Sequence, residues 1–189
     1  MELPKIHCLT IKYAGIVNGI ACSVTVSHPQ SLLSPGEVAK SDDCIAIWDT
    51  GAMGSAITEL QAKKLGLIPT GIKNASGLGG THAKNTYVID IRLPNNITIA
   101  DVQVIEIDNP VDEHGKKIED FGVLIGMNII CLGDFAITNY LGKTVMSFRI
   151  PSSHEIDYVK NPNYGLDPKR IPPGKPGSNY TPPKKKRKK

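Results

Sequence analysis

Aromatic residues are scarce in this chain, with one Trp, six Tyr and three Phe among 189 residues. A core built from this composition must consist mainly of Ile, Val and Leu side chains. The 40% hydrophobic and 21% charged residues still suffice for one packed domain, and they exclude a disordered or collagen-like chain. The length also excludes an enzyme built from two full-sized lobes.

Cysteine is scarce too, and its spacing excludes several kinds of site. The four cysteines, Cys8, Cys22, Cys44 and Cys131, form no Cys-x-x-Cys pair. This spacing excludes zinc-finger and dithiol redox motifs, and the apolar neighbourhoods predict buried free thiols. The five histidines are scattered as well. We therefore expect no metal and no other cofactor.

Long hydrophobic runs and targeting signals are missing. The longest apolar stretch, residues 14–26, is interrupted by Asn18, Gly19 and Ser23 and is too short to cross a bilayer. The first residues show no basic segment followed by an apolar run, so a signal peptide is not expected. These features predict a chain without a transmembrane segment and with a cytoplasmic location.

Positive charge is concentrated in one run, Lys184–Lys189. These six residues belong to a total of 22 basic residues, which leaves 16 against 18 acidic residues elsewhere. Residues 151–189 hold eight of the 14 prolines and few aliphatic residues. We therefore predict a folded domain over residues 1–150 and a Pro-rich flexible tail over residues 151–189.

Three interpretations of the basic run stay open. It is a solvated tail, a weak contact with a polyanion such as nucleic acid or anionic lipid, or a nuclear-import signal if the chain is eukaryotic.

The order of apolar segments predicts a mostly-β domain. Asn18-Gly19 between two apolar runs is typical of a hairpin turn. Thr58 with Gln61 forms a capping-box pattern, and Gly66 suits the end of the helix that would follow. Further strands are predicted near residues 45–48, 70–75, 86–93, 97–107, 121–125, 135–138 and 144–150, with a short helix over 127–131.

One short motif carries chemistry. The apolar segment Ile45–Trp48 leads directly into Asp49-Thr50-Gly51-Ala52. A carboxylate at the end of a buried strand is costly unless another group pairs with it. Gly51 permits close backbone approach, and Thr50 supplies a short hydroxyl. The other interpretation is a tight strand-to-helix turn in which Asp49 is only a local cap.

A second segment favours a chemical role for Asp49 over a local cap. Val123-Leu124-Ile125-Gly126 is an apolar strand that ends in Gly, and a glycine-rich turn lies at residues 77–80. Together with Asp49-Thr50-Gly51-Ala52, these features resemble the retropepsin-like aspartic proteases over roughly residues 40–150. The resemblance implies a single-lobe acid-protease barrel with one or two short helices that works as a homodimer.

The resemblance also implies roles for individual residues. Asp49, Thr50 and Gly51 would be catalytic. Ala52 and Met53 would contact substrate, as would Leu78, Gly79 and Gly80 in a flap over an extended protein or peptide substrate. The structural signature would consist of Ile125, Gly126 and Asn128.

The chain holds a single Asp-Thr-Gly, so the second carboxylate must come from another copy. Two carboxylates about 3 Å apart share one proton, which lets the pair act as base and acid in peptide hydrolysis. This predicts an aspartic endopeptidase. The alternative is a non-catalytic dimerisation or peptide-binding module that the basic run tethers to a polyanion.

The sequence departs from the retroviral pattern at two positions. Met53 and Met127 stand where retroviral enzymes carry an Asp and an Arg that form an ion pair, whereas Asn128 matches the pattern. Because both partners are replaced together, we expect apolar contact to replace the ion pair.

Overall fold

The structure, a computed structural model, describes residues 5–77 and 80–165. The chain divides into two compact units, Met1–Ser153 and His154–Lys189. In the first unit the described residues form strands and short helices, and the mostly-β, single-lobe fold class is confirmed. In chain order these elements are β1 (His7–Lys12), β2 (Ile20–Ser27), β3 (Ser41–Trp48), β4 (Ala56–Thr58), α1 (Glu59–Leu65), β5 (Gly71–Gly77), β6 (Gly80–Arg92), β7 (Thr98–Ile107), β8 (Phe121–Ile125), α2 (Met127–Ile130), β9 (Asp134–Tyr140) and β10 (Lys143–Ile150).

Six strands close into a barrel in the order β2, β3, β8, β4, β7, β6. The barrel closes because β6 pairs back with β2 from Thr25↔Arg92 to Ser27↔Asp90. Closure satisfies the strand edges that an open sheet would expose. Strand β5 extends the sheet beyond β6 as the outer arm of a hairpin. Strands β3 and β8 run parallel, with Trp48 opposite Ile125, so the residues that follow them leave the barrel at the same rim.

A second sheet has the order β1, β10, β9. The predicted hairpin turn at Asn18-Gly19 is wrong, because β1 pairs with β10 and not with β2. The connecting segment bonds to the start of β10 instead. Tyr13 N donates to Thr144 O at 2.9 Å, Thr144 N to Gly15 O at 3.0 Å, and Val17 N to Thr144 Oγ1 at 3.1 Å. These tertiary bonds override the local preference of the Asn-Gly dipeptide for a turn.

The core is aliphatic, as the composition predicts, with one aromatic cluster. Trp48 stacks on Phe135 with ring centroids 5.6 Å apart and meets Phe148 edge-on at 5.0 Å. These rings join β3 to the second sheet. Fully buried aliphatic side chains make up most of the core, among them Val26, Ile57, Leu65, Ile89, Ile91, Val104, Val123, Ile125 and Ile129.

The cysteines follow the prediction only in part. Cys22 and Cys44 are buried free thiols, whereas Cys8 and Cys131 are exposed. Cys8 lies on β1 beside the buried Leu9, and the alternation of a strand turns neighbouring side chains to opposite faces. Burial raises the pKa of Cys44 to about 12, so this thiol stays protonated at neutral pH.

Helix α1 begins and ends at the predicted residues. Thr58 Oγ1 accepts the Gln61 N–H at 3.2 Å, and Gly66 ends the helix in the left-handed region with φ of 69°. The Gln61 side chain donates to Asp42 Oδ2 at 3.0 Å. It therefore braces α1 against the start of β3 rather than closing the second half of a capping box.

The described part of the second unit, residues 154–165, contains turns and no helix or strand. Asp157 Oδ1 accepts the backbone N–H groups of Val159 and Lys160 at 2.8 and 3.1 Å, which fixes one of these turns. The basic run Lys184–Lys189 lies outside the described residues. Across the described ranges of the whole chain, every helix is too short or too polar to span a bilayer.

Candidate active site

Strand β3 ends at the rim of the barrel, and Asp49 follows it directly. The side chains of Cys44, Ala46 and Trp48 are buried, whereas Ile47 is 37% exposed. This alternation follows from the two-residue period of a strand, and it predicts that Asp49 shares the outward side with Ile47. Asp49 is half-buried, and its backbone N–H donates to Ile125 O at 2.9 Å.

The residues after Asp49 fold into a tight turn around its carboxylate. Gly51 N donates to Asp49 Oδ1 at 2.8 Å, and Ala52 N donates to Asp49 O at 3.3 Å. A Cβ atom at Gly51 would lie 3.2 Å from the same Oδ1, so glycine keeps the backbone close to the carboxylate. Thr50 and Gly51 are exposed. In this turn the Gly51 amide therefore binds one oxygen of the Asp49 carboxylate. The adjacent Thr50 and Gly51 remain accessible for contact with another molecule.

The segment that directly follows β8 meets this turn by direct backbone contact. Met127 N donates to Ala52 O at 2.8 Å, and Asn128 N donates to Met53 O at 3.1 Å. A Cβ atom at Gly126 would lie only 2.4 Å from Gly54 O, which no side chain tolerates without movement of the backbone. The residues of the predicted structural signature thus lie directly against the loop that carries Asp49.

Ser55 completes this contact, and sequence reasoning missed it. Its Oγ donates to Asn128 Oδ1 at 2.8 Å and accepts the Gly126 N–H at 3.0 Å. The residue is only 2% exposed. The sequence offers one weak signal, a hydroxyl residue directly before the apolar segment of β4.

We expected apolar contact at Met53 and Met127 to replace the retroviral ion pair, and this prediction is wrong within a single chain. Met53 is 91% exposed, so its side chain makes little contact there. Met127 is half-buried and packs against the core. Backbone bonds from Met127 and Asn128 hold the loop in place, and they do not depend on either side chain.

Strands β5 and β6 form the hairpin in which the flap was predicted. Their register runs from Gly71↔Thr86 to Gly77↔Gly80, and Gly80 has φ of 105°, a conformation that favours glycine. Leu78 and Gly79 lie outside the described residues. The base of the hairpin is tied to its neighbours: Lys73 Nζ donates to Gln103 Oε1 at 2.7 Å, and Lys84 Nζ lies 2.6 Å from Asp108 Oδ1.

Strand β6 also carries a buried tyrosine, Tyr87. Tyr87 donates its hydroxyl to Glu106 Oε2 at 2.6 Å. Burial, together with the Glu106 carboxylate, raises the pKa of Tyr87 to about 12. This phenol therefore stays protonated and serves as a hydrogen-bond donor at neutral pH.

Within residues 5–77 and 80–165, no group of three or more His, Cys, Asp or Glu side chains is arranged to hold a metal ion.

Comparison with solved structures finds a similar chain, described as a retropepsin-like aspartic protease from Rickettsia conorii. It is 14% identical, with a TM-score of 0.46, and the match covers 79% of this chain and 99% of that one. No protein-family model and no curated protein matches the sequence.

Proposed function

We propose that this chain is an aspartic endopeptidase whose catalytic pair consists of Asp49 from two copies. The observation that carries the proposal is the setting of Asp49. Its carboxylate lies at the rim of a closed barrel, with Gly51 N on one oxygen at 2.8 Å and with the exposed Thr50 and Gly51 beside it. A local cap would not require this loop to be held against residues 125–128 by three backbone bonds and two bonds of the Ser55 side chain.

In this proposal the two Asp49 carboxylates share one proton. The ionised carboxylate takes a proton from water as the water oxygen attacks the carbonyl carbon of the peptide bond. The protonated carboxyl donates to the carbonyl oxygen. The C–N bond then breaks as the leaving amine receives a proton from the pair. The two apparent pKa values that govern the reaction belong to the pair and not to either residue.

The exposed residues beside Asp49 are suited to contact with a second copy and with substrate. Thr50 would bond to the partner chain beneath the pair. Ala52 and Met53 would contact the substrate, and the hairpin that includes Gly80 would close over an extended peptide by strand-like pairing. The apolar side chain of Met53 is 91% exposed and is therefore accessible for contact with the substrate.

The test is a mixing experiment with peptide products read by mass spectrometry. Asp49→Asn alone should cleave no peptide. When it is added in excess to the wild type, mixed dimers should lower the activity well below that of the wild type alone. Asp43→Asn, which alters an exposed carboxylate on the strand that leads to Asp49, should have no such effect when added in excess.

Activity that survives Asp49→Asn would contradict the proposal. Activity that is lost in the variant yet unaffected by mixing would contradict the shared pair. A dimer without cleavage in either protein, from mildly acidic to neutral pH, would favour the alternative of a dimerisation or peptide-binding module.

A further inference from the structure

Ser55 is a buried hydroxyl that the proposed mechanism does not use. It is 2% exposed and lies directly before β4. Its single proton goes to Asn128 Oδ1 at 2.8 Å, and its oxygen accepts the Gly126 N–H at 3.0 Å. A hydroxyl has one proton to donate, so the donor capacity of Ser55 is committed to the segment after β8.

The Ser55 bonds belong to a larger set that fixes the loop after Asp49. Three backbone bonds join this loop to residues 125–128, through Asp49 N, Ala52 O and Met53 O at 2.9, 2.8 and 3.1 Å. Those three bonds join backbone atoms and do not involve the Ser55 side chain. The two Ser55 bonds depend on one hydroxyl, and they lie where the loop enters the barrel wall. A substitution can therefore loosen this end of the loop while the backbone bonds persist.

A loosened loop affects a shared carboxylate pair in a particular way. The repulsion between two carboxylates falls as they move apart, so their two apparent pKa values come closer together. The bell-shaped dependence of kcat on pH then becomes narrower. A general loss of folded protein lowers the amplitude of this profile and leaves its width unchanged.

We propose that Ser55 is a positioning residue that sets the separation of the two Asp49 carboxylates through its bonds to Gly126 and Asn128. This inference rests on the proposed function. Because a displacement on the order of 1 Å costs up to about a hundredfold in rate, Ser55→Ala is expected to lower kcat roughly ten- to a hundredfold, with KM changed less than about threefold. Its pH profile of kcat should be narrower than that of the wild type.

The conservative variant and a matched control make the test specific. Ser55→Thr keeps the hydroxyl, so its pH profile of kcat should be as wide as that of the wild type. Thr58→Ala removes another buried hydroxyl three residues away, the one that caps α1, and should destabilise the fold without narrowing the profile. Each protein is measured as the full chain, with active sites counted by titration with a tight aspartic-protease inhibitor.

Two results would overturn the role of Ser55. One is a Ser55→Ala profile as wide as that of the wild type, with kcat per titrated site unchanged. The other is a narrowed profile in Thr58→Ala as well. If Ser55→Ala does not fold, Asn128→Ala removes the acceptor of the Ser55 proton and must narrow the profile instead; an unchanged width there refutes the inference. A wild type without Asp49-dependent cleavage refutes the proposed function itself, which is a distinguishable outcome.

Discussion

Replacement of Gly126 by alanine tests the backbone contact beneath Asp49. The added methyl carbon would lie 2.4 Å from Gly54 O and 2.9 Å from Ala52 O. Van der Waals separation requires the two segments to move apart by about 1 Å. The movement would stretch the bonds from Gly126 N to Ser55 Oγ and from Met127 N to Ala52 O, now 3.0 and 2.8 Å long.

The expected loss of stability follows from these contacts. Overpacking in a close contact costs about 1–3 kcal/mol, and each weakened hydrogen bond adds up to about 1 kcal/mol. Gly126→Ala should therefore lower the free energy of unfolding by about 3 kcal/mol, measured by urea denaturation. Because the displaced loop carries Asp49, peptide cleavage should fall by about a hundredfold or more in protein that remains folded.

Gly19→Ala is the matched control. Nothing lies within 4 Å of the methyl carbon that this substitution adds, and Gly19 is exposed. Its stability should therefore stay within about 0.5 kcal/mol of the wild type. If Gly126→Ala unfolds at the same urea concentration as Gly19→Ala and cleaves peptides equally well, then close backbone packing at residue 126 is not what holds the loop.

Two further predictions concern acid stability and charge. A hydrogen bond from Ser152, with a smaller contribution from Arg149, lowers the pKa of Asp134 to about 2. Since the unfolded value is about 4, this stabilisation is complete above pH 4 and is lost as the pH falls from about 4 to about 2. Asp134→Asn should lower the free energy of unfolding by about 1–2 kcal/mol at pH 7, with a smaller difference at pH 2; an equal difference at both values would contradict the reasoning. Deletion of Lys184–Lys189 should weaken binding to single-stranded RNA, measured against salt concentration, and leave peptide cleavage unchanged; if the deletion variant keeps the salt-dependent affinity, then the basic run is not the contact.

Local chemistry made part of this molecule predictable. The limits of α1 follow from Thr58 and Gly66, which act within a turn of the helix that they bound. Strand β8 coincides with its apolar run because a strand buried on both faces carries no alternation to obscure its ends. The placement of Asp49 directly after a strand follows from the apolar run before it.

The failures arose where distant segments decide the outcome. Asn18-Gly19 has the local preference of a hairpin turn, yet β1 pairs with β10, whose residues lie more than a hundred positions away. Met53 was expected to pack against a neighbour, but backbone bonds hold its loop and leave the side chain exposed.

The amino-acid sequence by itself determined most of the strands, though not β4, and also where α1 is capped and where a carboxylate follows a buried strand, because these depend on neighbours within a few residues. Only the tertiary structure decided what surrounds Asp49. Ser55 and Asn128 are 73 residues apart, and Gly126 reaches Gly54 only because β3 and β8 run side by side. Contacts of this kind depend on barrel closure, and no local pattern of residue types records them.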